Sequence, residues 1–177
     1  MARYAAGDEA AFGALYESLA GRLYGYIRRH VSDRQACDDL LQETFLRMHR
    51  ARGTFVTGAA VLPWAFAIAR RLVIDQAGRN RRSPSLVGDV DPEPLAAVAG
   101  ADRPEQAVEA RQLAQRLTGA LAQLPDSQRT AFELLKQEGL TLTEAAAVLG
   151  ITTTAVKLRA HRAYGSLRAA LGEDAPA

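Results

Sequence analysis

The sequence predicts an all-α protein: two small helical domains joined by a flexible linker, the second containing a helix-turn-helix. Three observations carry this. Apolar residues recur at three-and-four spacing along both halves of the chain, the pattern of helices that each bury one stripe. Runs rich in Val, Ile, Thr and aromatics, which strands prefer, are few. Residues 83–106, SPSLVGDVDPEPLAAVAGADRPEQ, hold four of the seven prolines and no sustained periodicity. A structureless stretch of that length is uncommon inside one compact domain, so it reads as a linker between residues 1–82 and 107–177.

Each element has a local reason. In the first domain Asp8 can cap a helix whose stripe is Phe12, Leu15, Tyr16, Leu19, Leu23, Tyr26 and Ile27. Ser32 and Gln35 fit a capping box for a second helix, with Cys37, Leu40, Leu41, Phe45 and Met48 as its stripe. A loop, RGTFVTGAAVL (52–62), follows. Pro63 opens a third helix that runs to Gly78, a glycine suited to a C-terminal cap. That helix is apolar nearly all round and should be the central one. In the second domain a helix is expected over about 106–123, and Pro125 and Asp126 start another that ends at Gly139. Thr141 and Glu144 fit a capping box for a short helix that stops at Gly150, and Thr152 caps a longer last helix.

Composition narrows the function. The single cysteine, Cys37, excludes an internal disulfide framework, and its place on an apolar stripe makes it a core residue. The N-terminus, MARYAAGDEAAF, lacks the apolar core of a signal peptide, and VLPWAFAIA is too short to span a bilayer. A soluble cytoplasmic protein without stable membrane insertion is expected. His30, His49 and His161 fall on separate helices with no paired ligand spacing, and no phosphate loop or nucleophile motif is present. The expectation is therefore no catalytic residue, no metal and no cofactor: not an enzyme.

Charge is modest in sum, +2, but unevenly placed. Residues 70–82 carry five arginines and one aspartate, and residues 145–172 carry Lys157, Arg159, Arg162 and Arg168 with no acid. Between them, residues 83–106 carry five acids and one arginine. Two basic zones about an acidic spacer point to a polyanion gripped at two places.

The segment TEAAAVLGITTTAVKLRAHR (143–162) sharpens this. Gly150 can end one helix and turn the chain into the next, because glycine takes positive φ without steric cost. Ala146 is small where two helices cross, and Ile151 and Val156 are apolar where the pair must bury side chains. On the last helix Val156, Ala160, Ala163, Leu167 and Leu171 share a core face. Thr154, Lys157, Leu158 and His161 lie opposite, flanked by Arg159 and Arg162. A second helix in a major groove lies between two rows of phosphates, where a carboxylate would be repelled. The amides and hydroxyls of Thr152, Thr153 and Thr154 offer a further phosphate site at the helix N-terminus. An ordinary αα-hairpin with a basic surface is the plainer alternative. A second unusual face lies on the 32–50 helix, where Asp39, Gln42, Glu43 and Arg50 surround Leu46 opposite the apolar stripe. An apolar anchor with a polar rim is how a protein interface is built.

DDLLQETFLRMHRA (38–51), PWAFAIARRLVIDQAGRNRR (63–82) and LPDSQRTAFELLKQEGLTLTEAAAVLGITTTAVKLRAHRAYGSLR (124–168), in this order and separation, resemble the extracytoplasmic-function (ECF) group of bacterial RNA polymerase sigma factors. The resemblance implies that Asp39, Gln42, Glu43 and Leu46 contact the clamp helices of the largest catalytic subunit of core RNA polymerase. It implies that the loop 52–62 captures an extruded base of the minus-ten element, with Arg70, Arg71, Arg79, Arg81 and Arg82 along the DNA. It assigns the minus-thirty-five element to the last helix, through Thr152, Thr153, Thr154, Lys157, Leu158, Arg159, His161 and Arg162. Trp64 reads as a base-stacking residue or a core residue. Members commonly have an anti-sigma factor as partner, besides polymerase and promoter DNA. The acids Asp89, Asp91, Glu93, Asp102 and Glu105 would let the linker mimic nucleic acid in the polymerase channel. Two features depart from the pattern. The run after Lys157 is Leu158-Arg159-Ala160 instead of Ser-Arg-Leu, which bears on promoter preference. The sequence stops at Ala177, so control is expected from outside and not from an appended C-terminal domain. The rival reading is a helix-turn-helix repressor or activator that acts without polymerase.

Overall fold

The computed structural model describes residues 1–82 and 104–172, with side chains described for 1–80 and 111–172. The described residues form helices and turns and no strand. Contacts divide the chain into two compact units, Met1–Asp91 and Pro92–Ala177. Most of the expected linker lies outside the described residues. Its last three positions form the first turn of a helix.

The first unit contains α1 (Ala2–Ala5), α2 (Ala11–His30), α3 (Arg34–Arg50), a 3₁₀ turn (Arg52–Thr54) and α4 (Val61–Arg82). Helices α2, α3 and α4 pack pairwise around Leu23, Tyr26, Ile27, Cys37, Met48 and Phe66, all almost fully buried. Ala65 and Ala69 are also fully buried, and their small side chains let α4 approach its neighbours closely. Tyr26 and Phe66 meet edge to face at 5.4 Å, the arrangement that ring quadrupoles favour. The buried Thr44 hydroxyl donates to Leu40 O at 2.7 Å, so no polar atom of that side chain is left without a partner.

Several local expectations need correction. The cap of α3 is Asp33 and not Ser32: its carboxylate accepts from the Gln35 amide, and a carboxylate is the stronger acceptor. Pro63 is the third residue of α4, which begins at Val61. Gly78 does not end α4, which continues to Arg82. One interior glycine costs only about 1 kcal/mol, and the tertiary fold overrides it. Nor is α4 buried all round, since Arg71, Ile74 and Asp75 are exposed. Asp8 is not the N-cap of α2, a position that Ala10 holds without a side-chain bond, but its carboxylate accepts from the Ala11 amide at 3.3 Å from two residues upstream of that cap.

The second unit contains α5 (Pro104–Gln123), α6 (Asp126–Phe132), a π-helical turn (Glu133–Gln137), α7 (Leu142–Leu149) and α8 (Thr153–Leu171). Pro104 opens α5, where its missing N–H costs no hydrogen bond. α8 is the hub, packing against α5, α6 and α7. One cluster joins Leu121 and Leu124 to Ala163 and Leu167. The expected helix ending at Gly139 does end there, but through the π turn: Leu140 N–H bonds back to Leu134 O at 2.9 Å, and Gly139 takes φ +62°.

Candidate functional site

The helix-turn-helix is built by local chemistry. Thr141 Oγ1 accepts from the Glu144 amide at 3.2 Å, and Glu144 Oε2 accepts from the Thr141 amide at 2.8 Å, a closed capping box. Gly150 ends α7 in the left-handed region, φ +66° and ψ 35°. The next amide, Ile151 N–H, reaches back to Ala146 O at 3.2 Å. Two residues after Gly150, Thr152 Oγ1 accepts from the Ala155 amide at 3.2 Å and starts α8. Val156 and Ala146 are both buried, so the two helices meet through small and branched side chains.

This geometry fixes which face of α8 is free. Val156, Ala160, Ala163 and Leu167 are buried, and Leu171 is half-buried. Thr152, Thr153, Thr154, Lys157, Leu158, His161 and Arg162 are exposed, and Arg159 is half-buried beside them. The structure thus gathers the sequence-derived set at the start and outer face of a single helix. Leu158, 48 % exposed, is the apolar member of that face. Sequence reasoning passed over Tyr164 and Lys136. The Lys136 ammonium lies 5.3 Å from the centre of the Tyr164 ring, and Phe132 meets that ring edge-on at 5.4 Å. Nothing in the spacing of these residues signals the contact, because it joins two helices.

On α3, Asp39, Gln42, Leu46 and Arg50 are exposed and Glu43 is half-buried. Glu43 holds Arg47 at 2.8 Å, and Asp39 accepts from Gln35 at 3.2 Å. Leu46, 40 % exposed, does not stand alone. It rims an open groove of about 790 Å³ between α2 and α3, lined by Phe12, Tyr16, Leu41, Gln42 and Phe45 among others. Phe12 and Leu41 are half-buried and Tyr16 is exposed, although the sequence reading placed all three on core stripes.

The basic set of α4 is spread along it. Arg71 and Arg79 are exposed and Arg70 is half-buried. Arg79 donates to Gln76 Oε1 at 2.6 Å. Arg81 and Arg82 belong to the helix, but their side chains lie outside the described residues. The loop before α4 begins with the 3₁₀ turn and exposes Val56. Trp64 is half-buried and meets Phe55 of this loop at 5.0 Å between ring centres. His30, His49 and His161 lie on α2, α3 and α8, and no metal-binding cluster occurs among the described residues. Cys37 is buried, and its sulfur lies 3.2 Å from Val31 O. Burial pushes its thiol pKa up from the ordinary value.

Comparison with known proteins decides the family. Residues 15–83 match sigma-70 region 2 and residues 114–167 match sigma-70 region 4. The RNA polymerase sigma factor CarQ of Myxococcus xanthus is 35 % identical over 173 residues, 98 % of this chain and 96 % of CarQ. The ECF RNA polymerase sigma factor SigF of Caulobacter vibrioides is 35 % identical over 168 residues, 94 % of this chain and 89 % of SigF. The chain belongs to the ECF group of RNA polymerase sigma factors. Its fold is shared with the sigma factor RpoE of Bartonella quintana, solved in complex with the anti-sigma factor NepR. That likeness has a TM-score of 0.73 at 23 % identity and covers 93 % of this chain and 99 % of the other. This sigma factor is a transcription initiation factor that binds core RNA polymerase and brings it to promoter DNA. Matches to both regions, in order, set aside the stand-alone repressor or activator. No helix among the described residues is long and apolar enough to cross a membrane.

Proposed function

We propose that the sigma factor docks on the polymerase clamp through Asp39, Gln42, Glu43 and Leu46 of α3. The observation that supports this best is Leu46 on the rim of an aromatic-lined groove, flanked by exposed carboxylate and amide groups. An apolar anchor in a polar ring excludes water from the contact and gives it direction. In the same reading the loop 52–62 takes an extruded base of the minus-ten element, and Arg70, Arg71, Arg79, Arg81 and Arg82 follow the DNA. Extrusion costs a few kcal/mol, which stacking and pocket contacts offset. The outer face of α8 reads the minus-thirty-five element from the major groove, with Arg159 and Arg162 toward phosphates.

We propose a division of labour along the chain: residues 1–82 serve polymerase and the minus-ten element, 107–177 serve the minus-thirty-five element, and 83–106 form an acidic linker that stands in for nucleic acid. Polymer synthesis belongs to the polymerase, and the factor itself catalyses nothing. It works in the cytoplasm, where the polymerase is. An anti-sigma factor controls it by covering the α3 groove. The deciding experiment is co-elution of the purified factor with core RNA polymerase beside an Asp39→Ala/Gln42→Ala/Glu43→Ala variant. Binding by the wild type that the folded variant loses supports the α3 assignment. Equal binding by both moves the docking face elsewhere.

A further inference from the structure

Helix α1 precedes the region-2 match, which begins at residue 15, yet it is not a loose end. Its Tyr4 is only 3 % exposed and lies against Phe12 and His49, with ring centres 5.4 and 5.9 Å away. The Tyr4 hydroxyl is hydrogen-bonded to His49 Nδ1 at the end of α3. The other ring nitrogen, Nε2, lies 2.9 Å from Arg52 Nη1, which also donates to His49 O at 3.0 Å. The Arg52 guanidinium sits 6.0 Å from the centre of the Tyr4 ring.

Donor counting fixes the roles. A guanidinium only donates, so Nε2 accepts and the ring proton is on Nδ1, where it is given to the Tyr4 oxygen. Arg52 is therefore held from two sides, by a ring nitrogen and by a main-chain carbonyl. It is also the first residue of the 3₁₀ turn that opens the loop before α4. Phe55 N–H bonds to Arg52 O at 3.3 Å, and the Thr54 amide and hydroxyl both donate to Ala51 O, at 3.0 and 2.9 Å. Phe55 then packs on Trp64 of α4. Residue 4 thus reaches the loop through two side chains. Arg3 and Asp8, paired at 2.7 Å, fasten α1 to the start of α2.

We infer that Tyr4, His49 and Arg52 form a positioning relay by which the N-terminal helix sets the loop that receives the minus-ten base. The inference rests on the reading of that loop given above. None of the three residues need touch DNA. Their work is to pre-order the loop, so that the cost of ordering it is not met when the base arrives.

The test uses Tyr4→Phe in the full chain, which keeps the ring and its packing and removes one hydroxyl. His49→Gln is the companion, since its amide oxygen can still accept from Arg52 while the Tyr4 bond is lost. Hydrogen–deuterium exchange of amides 53–60 should quicken about fivefold in both variants, the effect of one lost hydrogen bond, with α2 and α8 unchanged. Tyr4 and His49 also line the α3 groove, so each variant is titrated against core polymerase and strand opening is compared at saturating factor. On a promoter selected from genomic fragments by the wild-type holoenzyme, permanganate-detected strand opening should fall by a similar factor. A Val56→Asp variant checks the loop itself. Unchanged exchange in Tyr4→Phe overturns the relay. So does normal opening by Tyr4→Phe when Val56→Asp is defective. Normal opening by both variants removes the loop reading, and the relay's purpose with it.

Discussion

Gly150 and Cys37 show what single side chains decide. Gly150 has open space where a Cβ would stand, so Gly150→Ala meets no clash, and its cost comes from φ +66° alone. That conformation is disfavoured for an L side chain by about 1–2 kcal/mol. The melting temperature of the second unit should drop by several degrees in calorimetry, while helix content at 20 °C stays the same. Cys37 carries a pH dependence. Its folded pKa is raised, chiefly by burial, above that of the unfolded thiol, ordinarily about 8.5. Below that value both states hold the proton and the contribution is intact. As pH rises past it, the unfolded chain releases its proton first and stability is lost. Urea titrations at pH 7 and pH 10 should show the lower midpoint at pH 10, and Cys37→Ala should narrow the gap between them. At the acid end Asp8 acts with opposite sign: bonded by Arg3, its pKa is lowered, and its contribution fades as pH falls through the carboxylate range.

At the scale of the element, α7 and α8 were legible because their signals are local. A capping box, a left-handed glycine and a threonine cap each act within a few residues, and each forms as the sequence indicates. Thr141→Ala should destabilise the second unit by about 1 kcal/mol, measured by thermal denaturation. The same helix yields a binding prediction. Arg162→Ala should weaken promoter binding by roughly 1–3 kcal/mol if it meets a base edge. If it meets phosphate only, the loss should be equal across sequences and the salt slope should shrink by about one. Fluorescence anisotropy at several salt concentrations separates the two. The groove beside α3 was not legible, for a physical reason. Phe12 and Tyr16 have the spacing of core residues, but the groove they line includes no residue of α4. Periodicity tells which side of a helix is apolar, not whether a neighbour reaches it. Ser32 failed as a cap for a smaller reason, since the adjacent Asp33 offers the better acceptor.

At the scale of the molecule, each unit carries its own buried cluster, and the contacts divide between them. Residues 1–82 and 104–177, produced separately, should each show helical circular dichroism and a cooperative melt. Failure of either to fold alone would mean that its core depends on the rest of the chain. Both are small, so both melts should be modest. The two-unit plan was readable from proline and periodicity, and the family from three sequence blocks. What composition could not supply was how the N-terminus joins the plan. MARYAAGDEAAF has no sustained stripe, and Tyr4 gains its role only where α1 meets the end of α3.

The burial of Cys37 has a practical side. The chain has one sulfhydryl, and in the folded state it is shielded from solvent and reluctant to ionise. Toward a maleimide dye near neutral pH the native protein should therefore label far more slowly than the unfolded chain, a rate that absorbance of the bound dye checks. A single Val56→Cys exchange, at a site 72 % exposed in the wild type, then places one fluorophore in the loop with the rest of the sequence untouched. If the loop receives the minus-ten strand as proposed, the dye should report its arrival in real time, with no cysteine-free background to build.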